Sequence, residues 1–413
     1  YNHDRAICTL AAMLTLTQWG NKKDKLRVER ARLGLGNAIK SLSTDISGAT
    51  VAFEMLAPVL LEEALECGAI QRKDDVNLTS TYSKEKYDNG RRRVDNLMAH
   101  YLEGRKKLAK LPPKFVNRNY TMAFSAEMMG QDNIHLLDID NLQEDNGSLG
   151  CSPSSTAYFA LDVRRGDEAA LNYLRTLASN EDSGGFPVVA PFDLFEITWT
   201  LWNLALPEQP DREIREQCIP YAEHIRNAWD EKKGISFSVH YTPRDGDDTA
   251  IAYDVLNHYG YDVDISALLH YKQGNHFHCY ETEADPSMSA NIHALGALKA
   301  AGISKNDSTV QNIVSFLKDK QMFSSFWFDK WHASPYYATS HAVIVGAGYL
   351  PDNLLTGAIN WLLTTQRPNG SWGYYNVATA EETAYALQAL LIWKRNGGKV
   401  PTQTLKQGLI WLQ

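Results

Sequence analysis

The sequence predicts an all-α fold in which pairs of helices stack and close into barrels. Apolar residues recur at helical spacing almost throughout the chain, as in residues 193–206 (DLFEITWTLWNLAL) and 381–398 (EETAYALQALLIWKRNGG). Convincing stretches of the alternating pattern that is typical of β-strands are hard to find. In addition, similar helix starts recur along the chain. These three observations together favour a purely helical architecture built from repeats.

The recurring helix starts each combine a capping residue with Ala, which lets helices pack closely. They are residues 155–161 (STAYFAL), 248–256 (DTAIAYDVL), 289–298 (SANIHALGAL), 339–347 (TSHAVIVGA) and 382–390 (ETAYALQAL). The last four follow one another at intervals of roughly 40 to 50 residues, a period that fits two helices and their loops. Stacked helical hairpins closed into an α/α barrel would follow, although an open solenoid would give the same period.

Length and composition describe an ordinary globular protein. With 413 residues, of which 44% are hydrophobic, the chain can bury large cores and is long enough for two or three domains. Its net charge of −8 and its isoelectric point near 5.9 argue against a surface that binds a polyanion. We therefore expect no nucleic-acid partner.

Cysteine usage and hydropathy indicate an intracellular setting. The five cysteines are odd in number and never lie in C-x-x-C spacing, so neither a disulfide framework nor a zinc site is indicated. No apolar run reaches the roughly 18 residues that a membrane span needs, and no signal-peptide pattern opens the chain. We expect a cytoplasmic protein without an integral membrane segment. Residue 1 is Tyr rather than Met, which leaves room for a leader or an upstream segment.

A second repeated element lies at residues 358–373 (AINWLLTTQRPNGSWG) and has the form A-x-x-W-L-x-x-x-Q-x-x-x-G-x-W. We expect Trp361 to anchor a helix in the core, Gln366 to cap adjoining helix ends, and Trp372 to stack beside it after a turn that Gly permits. A plain core helix followed by a turn is the simpler interpretation. Degenerate copies weaken it: residues 143–150 (QEDNGSLG) repeat the Gln-to-Gly half, and residues 408–412 (GLIWL) start a further copy.

Residues 244–256 (RDGDDTAIAYDVL) crowd the carboxylates of Asp245, Asp247 and Asp248 at the start of an apolar helix. Neighbouring carboxylates cannot all ionise, so a proton is held within such a cluster. A chance string, a solvated helix start or a calcium loop are the alternatives. An EF-hand is excluded because Leu256 stands where its last Glu ligand would be.

Together, the repeat and the acidic cluster resemble the Gln-Trp repeats and the D-x-D-D signature of class II terpene cyclases. The resemblance extends over nearly the whole chain to diterpene cyclases of the copalyl diphosphate synthase type, in plant and especially fungal forms. It is carried by residues 53–58 (FEMLAP), 107–129 (KLAKLPPKFVNRNYTMAFSAEMM), 147–161 (GSLGCSPSSTAYFAL), 184–199 (GGFPVVAPFDLFEITW), 245–250 (DGDDTA) and 329–342 (DKWHASPYYATSHA).

This resemblance implies a γ domain over residues 1–187 and a β domain over residues 188–413, two α-helical barrels with the active site between them. In the family, a first piece of the β domain precedes the γ domain, and here that piece is absent. Fungal relatives often carry a prenyltransferase domain after the β domain. A fused or separate prenyltransferase after residue 413, and hence a bifunctional enzyme, is compatible with a chain that ends inside a repeat.

The reaction that the resemblance implies starts with protonation of the terminal alkene of geranylgeranyl diphosphate. Two ring closures and the loss of a proton then give copalyl diphosphate or a close bicyclic isomer, with the diphosphate retained. The family places the acid on Asp247, with Asp245 and Asp248 in support. His293 is the first candidate for a partner that fixes the acid, although a satisfied core histidine is the alternative, and Asn291 is the fallback.

The cavity of such an enzyme must hold a migrating cation, which favours aromatic faces. Candidate lining residues, each of which could also be ordinary core, are Trp199, Phe124, Phe237, Trp327 and Tyr336. The motifs that supply a His and an Asn as the terminal base in plant ent enzymes match Phe124 and Val188 here. Neither can act as that base, so Val188 is expected only to line the substrate site, and the product's stereochemistry stays open.

We expect Mg²⁺ as cofactor because the substrate is a diphosphate. The acidic motif that precedes the Phe-Glu pair in plant γ domains is reduced to Asp45 here, and no firm ligands can be named. Lys330 is a candidate diphosphate contact, with a plain surface lysine as the alternative.

Several other functions compete with this one. Class I terpene chemistry needs a D-D-x-x-D helix, and residues 74–78 (DDVNL) lack the last acid. Cyclases of farnesyl diphosphate or of triterpenes are the nearest rivals, and triterpene cyclases usually carry more Gln-Trp repeats. A helical-repeat scaffold and an α/α-barrel glycosidase that uses Asp245 and Asp248 belong to different classes. A glycosidase would need its carboxylates well separated across a sugar-sized cleft.

Overall fold

The computed structural model describes residues 2–42, 53–70, 106–180, 185–209, 211–283 and 285–413. The chain divides into two compact units, Tyr1–Ala190 and Pro191–Gln413. The boundary falls close to the one expected after residue 187, while the γ and β assignments stay predictions. The all-α fold class is confirmed, because the named strands in the described ranges are two short ones. No helix among the described residues is long and apolar enough to cross a membrane.

The first unit is built from helices and 3₁₀ segments around two apolar cores. Its helices are α1 (Asn2–Gln18), α2 (Lys25–Lys40), α3 (Phe53–Glu66), α4 (Pro153–Tyr158) and α5 (Glu168–Asn180). Between α3 and α4 lie 3₁₀ segments at Thr121–Met129, Ile134–Leu136 and Ile139–Asn141. One core joins α1, α2 and α3, and the other packs the 3₁₀ segments against α4. A π-helical turn, Phe159–Val163, continues α4.

The second unit alternates buried and amphipathic helices. They are α6 (Asp193–Ala205), α7 (Arg212–Ala228), α8 (Gly246–His258), α9 (Ser266–Leu269), α10 (Met288–Ala300), α11 (Ser308–Lys320), α12 (Pro335–Gly346), α13 (Asp352–Thr364), α14 (Ala380–Arg395) and α15 (Thr402–Leu412). A two-stranded antiparallel hairpin, β1 (Lys272–Gln273) and β2 (His276–Phe277), precedes α10. Helices α10 and α12 are buried almost all round, as expected of inner helices, whereas α7, α11 and α13 bury a single stripe.

The inner helices α6, α8, α10, α12 and α14 pack side by side in chain order. The first and last of them also meet, because Gln388 on α14 donates a hydrogen bond to Asn203 on α6 at 2.9 Å. Arg395, at the end of α14, donates to the carbonyl of Leu206 at 2.8 Å. These contacts close the ring, so the repeat period corresponds to an α/α barrel rather than an open solenoid.

In the Gln-Trp element, Gln366 caps adjoining helix ends as its sequence predicts, while Trp361 is only partly buried. Gln366 donates one amide hydrogen to the carbonyl of Gly370 and the other to the carbonyl of Thr404, in the first turn of α15, both at 2.9 Å. Trp372 is fully buried and donates from Nε1 to the carbonyl of Leu362 at 2.7 Å. The element therefore fastens three successive helices to one another.

The degenerate copy at residues 143–150 uses the same turn. Gln143 donates to the carbonyl of Gly147 at 3.1 Å, and the hydroxyl of Ser148 donates to Asn146 at 2.7 Å. In the better copy, Ser371 donates in the same way to Asn369 at 2.6 Å. The shared turn geometry confirms that this segment of the first unit is a related repeat.

Candidate active site

The acidic cluster lies at the N-terminus of α8. Asp245 is the N-cap, and its Oδ1 accepts a 2.8 Å hydrogen bond from the backbone N–H of Asp248. Gly246 packs its backbone against the segment after β2: its N–H donates to the carbonyl of Cys279 at 2.8 Å, and a Cβ at this position would lie 2.5 Å from the carbonyl oxygen of His278. The motif thus needs glycine at its second position for steric reasons.

All three carboxyl groups are buried, and Asp247 is the most exposed of them. The exposed fractions are 1% for Asp245, 8% for Asp247 and 5% for Asp248. Burial raises the pKa of Asp245 to about 6, with the carboxyl of Asp247 adding to the effect. Burial and the neighbouring Asp245 hold the pKa of Asp248 well above its usual range. Two buried carboxyl groups with raised pKa values lie side by side here, which favours retention of a proton by this pair.

The third carboxyl group faces a pair of histidines. Oδ1 of Asp247 lies 2.6 Å from Nδ1 of His293 on α10, and Nε2 of the same imidazole lies 2.7 Å from Nδ1 of His341 on α12. Both histidines are buried. The predicted contact between Asp247 and His293 is therefore present, and it forms the first link of a longer hydrogen-bonded chain.

Asn291, the fallback partner, does not contact the acid. Its Oδ1 accepts from the N–H of Phe277 at 2.7 Å, while its amide hydrogens go to the carbonyls of Phe277 and Ser287. Because both donors and the acceptor are used on backbone groups, Asn291 instead fastens β2 to the start of α10. The fallback assignment is wrong for this geometric reason.

Trp199 and Tyr337 are two of the aromatic side chains that border the histidine pair. Trp199 on α6 stands edge-on to His293, with ring centroids 5.7 Å apart, and its Nε1 donates to the hydroxyl of Tyr337 at 2.9 Å. Tyr337 also packs against His293 and His341, at centroid distances of 6.1 Å and 4.1 Å. Trp199 therefore lies beside His293, and its predicted lining role stays a prediction.

Tyr336, the residue chosen from the sequence, points elsewhere. Its ring lies 4.5 Å from that of Trp361 in the core, and only 2% of the residue is exposed. One helical residue corresponds to roughly 100° of rotation, which is why Tyr337 rather than Tyr336 faces the histidines. The lining role predicted for Tyr336 finds no support in its contacts, and Tyr337 is the tyrosine that contacts the histidines.

Trp327 is likewise a core residue and not a lining residue. It is fully buried, its Nε1 donates to the carbonyl of Leu317 at 2.7 Å, and its N–H donates to the hydroxyl of Thr339 at 3.0 Å. Trp372 makes the equivalent two bonds to Leu362 and Thr383. Trp327 therefore closes another copy of the Gln-Trp element, one that the sequence pattern did not reveal.

Phe237 belongs to a stack of aromatic rings at the start of α6. Its ring lies 4.1 Å from that of Tyr241 and 5.2 Å from that of Phe192, which in turn stacks on Phe195. Phe195 stacks on Trp199 at 4.0 Å, so the row of rings reaches the residue beside His293. This continuity supports Phe237 as part of an apolar lining, and that role stays a prediction.

The remaining predicted contacts are less direct. Phe124 and Val188 belong to the first unit: Phe124 is half-buried, with its carbonyl accepting from Ser155, and Val188 is 82% exposed. Their substrate roles stay predictions. Lys330 pairs with the carboxylate of Glu283 and donates to the carbonyl of Asp285 at 2.6 Å. A diphosphate would have to compete with Glu283 for the ammonium group of Lys330.

The residues present do not identify a magnesium site. Within the described ranges, no group of three or more His, Cys, Asp or Glu side chains is arranged to hold a metal ion. Asp45, the remnant of the acidic motif, lies outside the described residues. No step below is therefore derived through a metal.

Three residues of this region have no role assigned from the sequence: His341, Tyr337 and Asp254. His341 lies in the repeated helix start at residues 339–347, Tyr337 lies just before it within residues 329–342, and Asp254 follows Asp247 on α8 by two helical turns. Trp202 donates to Asp254 at 3.0 Å and packs against His341 at 4.9 Å. Burial raises the pKa of Asp254 to about 6, which adds a further acid to this region.

Comparisons with known proteins agree with the geometry. The profile of the squalene-hopene cyclase C-terminal domain matches residues 257–413. A type B diterpene cyclase from Mycobacterium tuberculosis is 39% identical over 419 residues, covering 99% of this chain and 79% of that protein. A copalyl diphosphate synthase from Streptomyces cyslabdanicus is 35% identical over 260 residues, covering 59% of this chain and 46% of that protein. The chain thus matches less than half the length of the latter relative.

A solved structure shares the fold. The ent-copalyl diphosphate synthase from Streptomyces platensis superposes with a TM-score of 0.68 and 22% sequence identity, covering 100% of this chain and 88% of that one. At this identity, the similarity supports the architecture alone. The Mycobacterium relative is similar enough, over enough of its length, to show the family. The chain belongs to the class II diterpene cyclases, a family of terpene-cyclising enzymes.

Proposed function

We propose that this enzyme converts geranylgeranyl diphosphate to copalyl diphosphate or a close bicyclic isomer and retains the diphosphate. The observation that carries the proposal is the buried D-x-D-D cluster, in which Asp247 alone of the three carboxyl groups hydrogen bonds to a histidine. The names of the similar copalyl diphosphate synthases support the substrate class, a prenyl diphosphate.

The first step is the transfer of a proton from Asp247 to the terminal alkene. An alkene is a very weak base, so the donor must be a neutral carboxyl group held away from water. The proton retained by Asp245 and Asp248 removes one negative charge next to Asp247, and burial excludes solvent. With Oδ1 engaged by His293, the other oxygen of Asp247 is the one that can carry the reactive proton.

Proton transfer leaves a carboxylate on Asp247 and a tertiary cation on the substrate. The N–H of His293 stabilises the carboxylate by a charge-assisted hydrogen bond. The faces of Trp199 and of the aromatic stack that reaches Phe237 stabilise the cation without offering a lone pair that would trap it. Two alkene additions close the rings, and loss of a proton completes the product.

Several finer features belong to the proposal. Mg²⁺ would accompany the diphosphate of the substrate and neutralise part of its charge, and it stays a prediction. Lys330 is the candidate protein contact for that group, and release from Glu283 would be required. A prenyltransferase domain after residue 413 and a cytoplasmic location stay predictions.

The test is to incubate the enzyme with Mg²⁺ and, separately, with farnesyl diphosphate, geranylgeranyl diphosphate and squalene. Products are treated with phosphatase and identified by mass spectrometry. A bicyclic alcohol from geranylgeranyl diphosphate supports the proposal, and turnover of only another substrate contradicts it.

The matched variant is Asp247→Asn, which preserves the size of the side chain and removes the acid. We expect kcat to fall by at least about 10³-fold, because no other group supplies a proton in this position. Circular dichroism serves as the control for folding. Unchanged turnover in Asp247→Asn would contradict the assignment of the acid.

A further inference from the structure

We propose that His341 is a positioning residue for the acid: it accepts the Nε2–H of His293 and so keeps the Nδ1–H of His293 directed at Asp247. This inference rests on the proposed function, since it assigns a task within the same proton transfer. It extends the site by one residue, on a helix that the D-x-D-D motif does not involve.

The geometry of the chain carries the inference. The 2.6 Å contact from Asp247 to His293 and the 2.7 Å contact from His293 to His341 use both ring nitrogens of His293. Three neighbouring inner helices, α8, α10 and α12, each contribute one member. Because the imidazole of His293 can neither rotate nor flip without losing one of these bonds, its contact with His341 fixes its orientation toward Asp247.

Proton counting assigns the roles. For Asp247 to present a proton to the substrate from one oxygen, its Oδ1 must accept, so Nδ1 of His293 must donate. After transfer, the carboxylate is best stabilised by an imidazolium, which donates from both nitrogens. Nδ1 of His341 must then be an unprotonated acceptor, which requires His341 to be neutral with its proton on Nε2.

The surroundings of His341 favour that neutral form. The side chain is fully buried, and its Nε2 has no hydrogen-bond partner among the described residues. Burial, with His293 and His332 as further causes, holds the pKa of His341 well below its usual value. The rings of Trp202, Tyr337 and Tyr385 enclose it at centroid distances of 4.9, 4.1 and 5.5 Å. A second cation here would be strongly disfavoured.

The experiment compares His341→Asn with His341→Leu, two side chains of nearly equal size and shape. Oδ1 of Asn occupies the place of Nδ1 and can accept from His293, whereas Leu cannot. We expect kcat with geranylgeranyl diphosphate to fall by about 100-fold in His341→Leu and by less than about tenfold in His341→Asn. Equal losses in the two variants would indicate a packing role only, and wild-type kcat in His341→Leu would also overturn the proposal.

A second measurement does not depend on turnover. In substrate-free enzyme labelled with ¹⁵N-histidine, NMR should show one buried histidine with protons on both ring nitrogens, assigned to His293 by its loss in His293→Asn. The signal should persist in His341→Asn and lose its Nε2–H component in His341→Leu. Its absence from the wild type, or its persistence unchanged in His341→Leu, would overturn the proposal even if geranylgeranyl diphosphate were not the substrate.

Discussion

Asp247 differs from its two neighbours in its partners. Asp245 accepts the backbone N–H of Asp248 as the N-cap of α8, whereas the carboxyl group of Asp247 contacts His293 on another helix. The raised pKa values of Asp245 and Asp248 favour a proton on that pair, and the proposed function assigns the transferable proton to Asp247. The division of roles follows from which side of the first helical turn each residue occupies.

The role of a proton on the Asp245–Asp248 pair can be tested with the variant Asp248→Asn. An amide has the size of the carboxyl group and is neutral, so the variant should fold. We expect kcat to fall by about 10²-fold, since the amide cannot take part in proton exchange within the cluster. The measurement is kcat with the bicyclic product quantified by mass spectrometry, and an undiminished rate would contradict a role for the shared proton.

The same variant should change how stability depends on pH. The pKa of Asp248 is raised in the folded state above its unfolded value of about 4, so the folded protein holds a proton that the unfolded chain loses as pH rises. Stability from this group is therefore present at low pH and lost as pH rises toward the folded pKa. The free energy of unfolding, measured by urea denaturation, should fall less steeply from pH 5 to pH 8 in Asp248→Asn than in the wild type. An identical slope in the two proteins would contradict this.

At the scale of elements, the start of α8 is fixed by close backbone packing. A Cβ on Gly246 would lie 2.5 Å from the carbonyl oxygen of His278 and 3.0 Å from Cγ of Tyr271. We expect Gly246→Ala to displace the first turn of α8 and lower kcat by more than about tenfold, because misplacement of reacting groups by about 1 Å can cost 10²-fold.

The control for this substitution is Gly34→Ala. Gly34 lies inside α2 with no atom within 4 Å of its added Cβ, so alanine should only improve helix propensity, by about 1 kcal/mol. Its kcat should match the wild type. Equal kcat for Gly246→Ala and Gly34→Ala would show that the close packing has no bearing on the acid.

The structural role of the Gln-Trp element is tested by measuring stability and not activity. Gln366→Met keeps the length of the side chain and removes both hydrogen bonds, to Gly370 and Thr404. We expect the free energy of unfolding to fall by about 1 to 3 kcal/mol, measured by urea denaturation, with kcat unchanged below the transition. Gln217→Met on the exposed face of α7 is the matched control and should be neutral. An equally stable Gln366→Met would contradict the fastening role.

At the scale of the whole molecule, periodicity predicted the fold class because helices such as α7, α11 and α13 bury a single apolar stripe, while α10 and α12 are apolar on nearly every face. The copy that ends at Trp327 escaped notice because its turn lacks the expected glycine. Phe323 and Ser324 adopt the left-handed backbone at φ of 51° and 52°, a conformation usually left to glycine. The left-handed residues thus precede Ser325, which stands where Gly370 does in the better copy, so the two Trp hydrogen bonds are kept while the turn and its sequence signal differ.

The candidate site was predictable where residues are close in sequence and less so where helices meet. The D-x-D-D motif is contiguous, and its contact with His293 followed from family resemblance. Whether Tyr336 or Tyr337 faces the histidines depends on the rotation of α12 about its axis. That rotation is set by the packing of α12 against α10 and α14, and a local sequence pattern does not predict this packing. His341 was overlooked for the same reason.

The central claim is that the reaction begins with a proton from Asp247 and leaves the diphosphate in place. It is tested most directly by the mass of the product formed from geranylgeranyl diphosphate in D₂O, where carboxyl protons exchange before turnover. The account predicts a bicyclic diphosphate carrying one deuterium, and none formed by Asp247→Asn. An unlabelled product, or one formed with release of diphosphate, would contradict it.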